Sequence, residues 1–309
     1  MTRPEHPCMP ADRLCRSTDV PQSISAWSTT PVAEELTAAL IAPRGYPVLT
    51  EADRGELRTR LLWCLERRAD LLGEALTRIT PFALRQRFFG RAVTPFRWSP
   101  WTARRTIGIA AVRVCTTGAL YAPADAVATV VAEMAGRGGP PGSLGTWLSR
   151  AAAPVVALVR AEATTWASNL LSAVDWSRPG LRPVIGAPDR WWCSPTMPRV
   201  AIRGRVDLSV TSAGNGNPRG PRAVLTVFEG CPSPASRVEL GLAPLVSALT
   251  GPLEDVPVRA AGWWPAAGRL LTFPVGPSLL ADAADAVAQA LGPPCPPVPV
   301  PPAPVMRPV

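Results

Sequence analysis

Hydrophobic positions follow two kinds of spacing along this chain. From 31 to 176 the spacing is helical. Thr50 with Asp53 reads as an N-cap followed by an acid in the first turn, and Leu57, Leu61, Leu62 and Leu65 continue one face to about Leu72. Thr80-Pro81 marks a break. Ser99-Pro100 opens a helix carrying Ile107, Ala110, Ala111 and Val114, and Pro123 opens the next, which stops at the glycines of 136–139. Ser143 caps a segment running through Trp147, Val155, Val159, Trp166 and Leu170 to Trp176, with a break at Pro154.

After Pro179 the period shortens. Residues 199–210 alternate as a strand does, as do 222–229, and Gly and Asn at 214–217 place a hairpin-type loop between them. Ser236 caps a helix with Val238, Leu242, Leu245, Val246 and Leu249, ended by Gly251. Strands over 256–264 and 269–274 follow, then a helix over 279–291; 181–186 is a possible leading strand. The string is helix, three strands, helix, two strands, helix. A hairpin followed by a helical crossover implies a mixed sheet in an α/β (α+β) fold.

The ends differ from the middle. Residues 1–30 are polar and aperiodic and read as a flexible arm, and 293–309 hold nine prolines in seventeen residues and read as an extended polyproline-II tail. The expected organisation is an arm over 1–30, a helical region over 31–142, an α/β core over 143–292 and the tail.

Composition narrows the chemistry. All 32 basic residues are Arg, against 23 acids, for a net charge of +9. Without Lys there is no Schiff base and no P-loop lysine. His6 is the sole histidine, in the N-terminal arm, which removes Ser-His-Asp and Cys-His catalysis. Seven widely spaced cysteines form no C-x-x-C pair, so a disulfide framework is not expected. With no signal-like N-terminus and no apolar run of the ~18 residues a membrane helix needs, the expectation is a cytoplasmic protein without membrane contact.

Gly204-Arg205-Val206-Asp207 on one strand, Phe228-Glu229-Gly230 at the end of the next and Glu239-Leu240-Gly241-Leu242 opening a helix together resemble the PD-(D/E)XK nuclease superfamily, in particular its RecB-like branch. The resemblance covers roughly 143–291. It implies an α-β-β-β-α-β core in which Asp207 and a second acid hold Mg²⁺ and a Lys positions the attacking water. Aligning Gly230 with the family's trailing glycine puts Thr226 at the second acid and Phe228 at the Lys. Neither supplies the needed chemistry. Glu239 stands where a Gln is usual and Ala243 where a Tyr would be.

Glu229 is the substitute acid, although strand alternation places it opposite Thr226 and Phe228 unless a bulge turns it. Asp207 with Glu229 is a minimal catalytic and metal pair, and Glu162 on the preceding helix is a third candidate ligand, for Mg or Mn if the protein is active. The other reading makes Asp207 a strand-end residue bonded to backbone, Glu229 solvated, and Glu162 solvated or paired with an Arg such as Arg160. No cofactor is then expected.

A second group is electrostatic. Between Thr77 and Asp125 the only acid is Asp125, while Arg85, Arg87, Arg91, Arg97, Arg104 and Arg105 alternate with Phe and Trp, including Trp98. Guanidiniums with aromatics suit phosphates and unpaired bases. The same residues equally suit a solvated helix face over a packed aromatic core. The sequence thus favours a catalytically degenerate nuclease-like protein that binds DNA or RNA or acts as a scaffold. The rivals are a weak Mg-dependent phosphodiesterase using Asp207 and Glu229, and a protein-interaction module with no nucleic-acid role.

Overall fold

The computed structural model describes residues 32–42, 45–67, 77–88, 90, 96–117, 122–178, 181–184, 191–211 and 221–291. The N-terminal arm, the Pro-rich tail, Arg91 and the 214–217 loop lie outside them. The described helices are α1 (Val32–Ala39), α2 (Glu51–Glu66), α3 (Pro81–Phe88), α4 (Pro100–Thr117), α5 (Pro123–Arg137), α6 (Leu144–Arg150), α7 (Ala153–Ser172), α8 (Ser236–Thr250) and α9 (Pro277–Ala290). The strands are β1 (Thr77–Ile79), β2 (Arg182–Pro183), β3 (Trp191–Cys193), β4 (Val200–Arg203), β5 (Leu208–Thr211), β6 (Arg222–Val227), β7 (Arg259–Trp264) and β8 (Arg269–Pro274).

A five-stranded mixed sheet in the order β2-β5-β6-β7-β8 is the middle layer. β6 and β7 are parallel, connected by α8, and the other neighbours are antiparallel. Alternation along β6 and β7 sorts their side chains into two cores. Leu225, Val227 and Trp263 face α4, α5 and α7. Val224, Phe228 and Trp264 face α8 and α9. α/β with a mixed sheet is therefore the observed class, and the adjacent tryptophans end up one in each core, both buried.

The first core joins Leu36 of α1, Ile107 of α4 and Val127 of α5 to Trp166 of α7 and to the sheet. The second joins Leu57, Leu61 and Leu65 of α2 to α8 and α9. Helices before residue 142 thus cover both faces of the sheet after it. Arg54 and Arg58 of α2 donate to the carbonyls of Gly251 and Leu249, at the end of α8, where unpaired carbonyls accept cations well.

Several local expectations need correction. Residues 199–210 are two strands, not one. β4 ends at Arg203 and belongs to a separate three-stranded sheet, β1-β4-β3, in which it pairs parallel with β1 and antiparallel with β3. β5 begins at Leu208 in the large sheet. Gly204 sits at the crossing because a Cβ there would lie 2.2 Å from the Ala243 Cα of α8. α2 ends at Glu66, with Arg67 as its C-cap, and not near Leu72. The strand expected from 256 begins at Arg259. Ser236 opens α8 without capping it, since Ala235 is the N-cap and the Ser236 hydroxyl accepts from Ser233 N–H. The caps at Thr50 and Ser143 are present as expected.

Candidate functional site

The acidic candidates Asp207, Glu229 and Glu162 lie with Arg104 and Arg105 at the pole where β6 ends and β5 begins. Asp207 immediately precedes β5, and its N–H donates to Leu225 O of β6. Its side chain is 5% exposed. Arg105 of α4 donates to Asp207 Oδ2 at 2.5 Å. Arg205 spans the same carboxylate, Nε to Oδ1 at 3.3 Å and Nη2 to Oδ2 at 3.1 Å. The Val227 N–H completes the set at 2.7 Å to Oδ2. Both guanidiniums also donate to Val227 O, and Arg113 bonds the carbonyls of Val206 and Asp207. Burial pushes the Asp207 carboxyl above the usual carboxylate range; the Arg205 charge, the Val227 N–H and Arg113 pull against it.

The residues around Asp207 match the alternation of β6. Thr226 donates its hydroxyl to Arg205 O at 2.9 Å, which ties the 204–207 crossing to β6. Phe228 stacks on Trp264 with ring centroids 4.6 Å apart. Glu229 is an exposed residue whose carboxylate accepts from Trp101 Nε1 of α4. Burial of that carboxylate end raises its pKa, against the Trp101 hydrogen bond and the Arg104 charge. Glu162 on α7 pairs with Arg104 at 2.8 Å, not with Arg160 and not with Asp207. Arg104 also lies 3.4 Å from the Trp101 ring centroid.

Asp207, Glu229 and Glu162 each turn to a different partner: arginines and a backbone N–H, Trp101, and Arg104. Mg²⁺ takes oxygen ligands in near-octahedral geometry and needs carboxylate lone pairs facing an open position. Both oxygens of Asp207 already accept from cations or backbone, and its neighbours on β6 are a hydroxyl turned to a carbonyl and an apolar ring. Among the described residues no group of three or more His, Cys, Asp or Glu is placed to hold a metal ion.

The arginines proposed for nucleic acid divide in two. Arg85, Arg104 and Arg105 direct their guanidiniums at Glu239, Glu162 and Asp207. Arg87 and Arg97 are exposed and make no ion pair among the described residues. Trp98 is half-buried, donates Nε1 to Gly142 O at 2.8 Å and meets Phe96 edge-on. Phe82, Phe88 and Phe96 are 50%, 54% and 64% exposed. Arg205, Arg113 and the Arg85–Glu239 pair were not foreseen as parts of this pole. Arg205 had a signal in the sequence, since it lies inside the Gly204–Asp207 motif.

Among the described residues no helix is long and apolar enough to cross a membrane. No protein family, no curated protein and no solved structure matches this chain.

Proposed function

We propose that this chain is a catalytically silent relative of the RecB-like PD-(D/E)XK nucleases that binds single-stranded nucleic acid. The observation that carries the reading is the state of Asp207. The one acid at a catalytic position of the motif is buried beneath two guanidiniums and a backbone N–H, with Thr226 and Phe228 where a second acid and a Lys would act. A carboxylate so engaged anchors α4 to the sheet: Oδ2 accepts from Arg105, Arg205 and the Val227 N–H, and Oδ1 from Arg205 Nε.

Binding is supported by the surface outside that pole. Phe82, Phe88 and Phe96 stand exposed with Arg78, Arg87 and Arg97 also at the surface. Aromatic rings stack on unpaired bases whatever their sequence, and arginines neutralise the adjoining phosphates. The test is a pair of assays on the purified chain. With Mg²⁺ or Mn²⁺, labelled DNA and RNA are expected to remain uncut, whereas cleavage lost in Asp207→Ala would restore the phosphodiesterase reading. Titration with labelled single strands at low salt is expected to show binding that weakens steeply with salt. Absence of binding would leave the protein-interaction reading in its place.

A further inference from the structure

Two guanidiniums at the Asp207 pole keep one edge unoccupied. Arg205 uses Nε and Nη2 on Asp207 and Nη2 on Val227 O. Arg85 uses Nε and Nη2 on Glu239. The Nη1 group of each makes no hydrogen bond among the described residues, and the two side chains are 34% and 32% exposed. Both stand against one ring, at 5.8 Å and 5.4 Å from the Phe228 centroid. That ring is itself fixed by its stack on Trp264.

The charge at this pole does not cancel. Arg85, Arg104, Arg105 and Arg205 pair with the carboxylates of Glu239, Glu162 and Asp207; with Arg113 on the carbonyls of Val206 and Asp207 and the carboxylate of Glu229 nearby, five cations face four acids, which leaves one unit of positive charge. Asp207 is shared between Arg105 and Arg205 and lies in the field of Arg113 as well, so the surplus is spread over these three. The fourth acid, Glu229, accepts from Trp101 and lies in the field of Arg104, Arg205 and Arg85. With Nε and Nη2 already engaged, each guanidinium offers its Nη1 group, whose two hydrogens can reach a phosphate oxygen, and delocalised charge makes it cheap to strip of water.

We propose that the Nη1 edges of Arg85 and Arg205, held on Phe228, grip one phosphate of a nucleic-acid backbone. This rests on the nucleic-acid reading above and places one backbone contact at the pole itself, where a purely anchoring role for these arginines requires none. The phosphate takes the surplus charge while Asp207 and Glu239 keep the two guanidiniums oriented.

The test begins with the unaltered full-length chain. Phenylglyoxal modifies accessible arginines, and mass spectrometry reads each site. A single-stranded oligonucleotide is expected to slow modification of Arg85 and Arg205 several-fold while Arg160 and Arg269, elsewhere on the surface, react as before. Inorganic phosphate at millimolar concentration should protect the same pair more weakly. Protection by inorganic phosphate but not by the oligonucleotide would make this a free-phosphate site and overturn the backbone assignment. A second arm uses an abasic deoxyribose-phosphate 12-mer and its thymidine counterpart. Arg205→Gln is expected to weaken both about tenfold and reduce the salt slope by about 0.7, the value for one phosphate on a single strand. Unchanged affinity, with binding of the thymidine strand still lost in Phe88→Ala, would sink the phosphate site and keep the nucleic-acid reading. Failure of both strands to bind would remove both.

Discussion

Arg85 reaches across 154 residues of chain to close a two-pronged contact on Glu239, Nε to Oε1 at 2.6 Å and Nη2 to Oε2 at 2.5 Å. The Glu239 side chain is 1% exposed, and Arg85 is about one-third exposed. The pair therefore joins α3 to the start of α8 through a carboxylate that water barely reaches. Removing the cation alone strands a buried charge. Arg85→Ala is expected to destabilise the fold by about 3 kcal/mol, the low end for breaking a buried pair because Arg85 is partly solvated. Arg85→Met with Glu239→Leu should recover most of that loss. Denaturant melts of the three variants decide it, and a double variant no better than the single would show that the pair matters for more than charge.

Gly204 carries a steric prediction. A methyl group at that position would overlap the Ala243 backbone of α8, with contacts at 2.2 Å to Cα and 2.7 Å to N. Backbone cannot rotate away as a side-chain end does. Gly204→Ala is expected to cost at least the ~1–3 kcal/mol of ordinary overpacking. A thermal midpoint equal to that of the parent chain would mean that α8 can shift.

The capping box at the start of α2 gives a pH-dependent prediction. Thr50 N–H and Oγ1 both donate to Asp53 Oδ2 at 2.7 Å, and Asp53 N–H donates back to Thr50 Oγ1. The Thr50 hydroxyl, then its N–H, hold the Asp53 carboxyl below its ordinary 3.8. A lowered folded-state value stabilises the fold above pH 3.8, and the contribution is lost as pH falls through that lower value. Thr50→Ala is expected to cost about 1 kcal/mol at neutral pH. The cost should shrink toward acid. A pH-independent difference between the two chains would rule out the ionised Asp53 as its source.

Trp98 and Phe96 are neighbours with different expected roles. Trp98 is half-buried and bonded to Gly142 O, whereas Phe96 is 64% exposed. Trp98→Ala should lower the melting temperature and leave oligonucleotide affinity of the folded chain unchanged. Phe96→Ala should leave the melting temperature alone and weaken single-strand binding by about 1 kcal/mol, the low end for one stacked base. Reversed outcomes would exchange the two roles.

Much of this architecture can be read from local signals. Thr50 with Asp53, Ser143 and Pro123 announce helix starts through chemistry confined to one turn. The alternation of β6 places Val227 and Phe228 on opposite faces, as observed. What escaped the sequence was non-local. Residues 199–210 read as one strand in which Gly204 signals at most a bulge, while the crossing there is imposed by Ala243 of another element. β1 is three residues long and exists because β4 pairs with it. Arg105 finds Asp207 at a separation of 102 residues, and no spacing rule connects them. An arginine run therefore looked like one surface when several of its members point at partners in the second half of the chain.

The three-layer arrangement also sets an order in which this protein can be completed during synthesis. Leu57, Leu61 and Leu65 of α2 are made well before the surfaces that cover them, which belong to α8 and α9, roughly 170 residues or more further on. β1 likewise waits for β4, and Arg60 for Asp285. A chain emerging from the ribosome cannot close its second core until α9 is out. For most of translation α2 and β1 present apolar surface without a mate, the condition in which nascent proteins depend on chaperones.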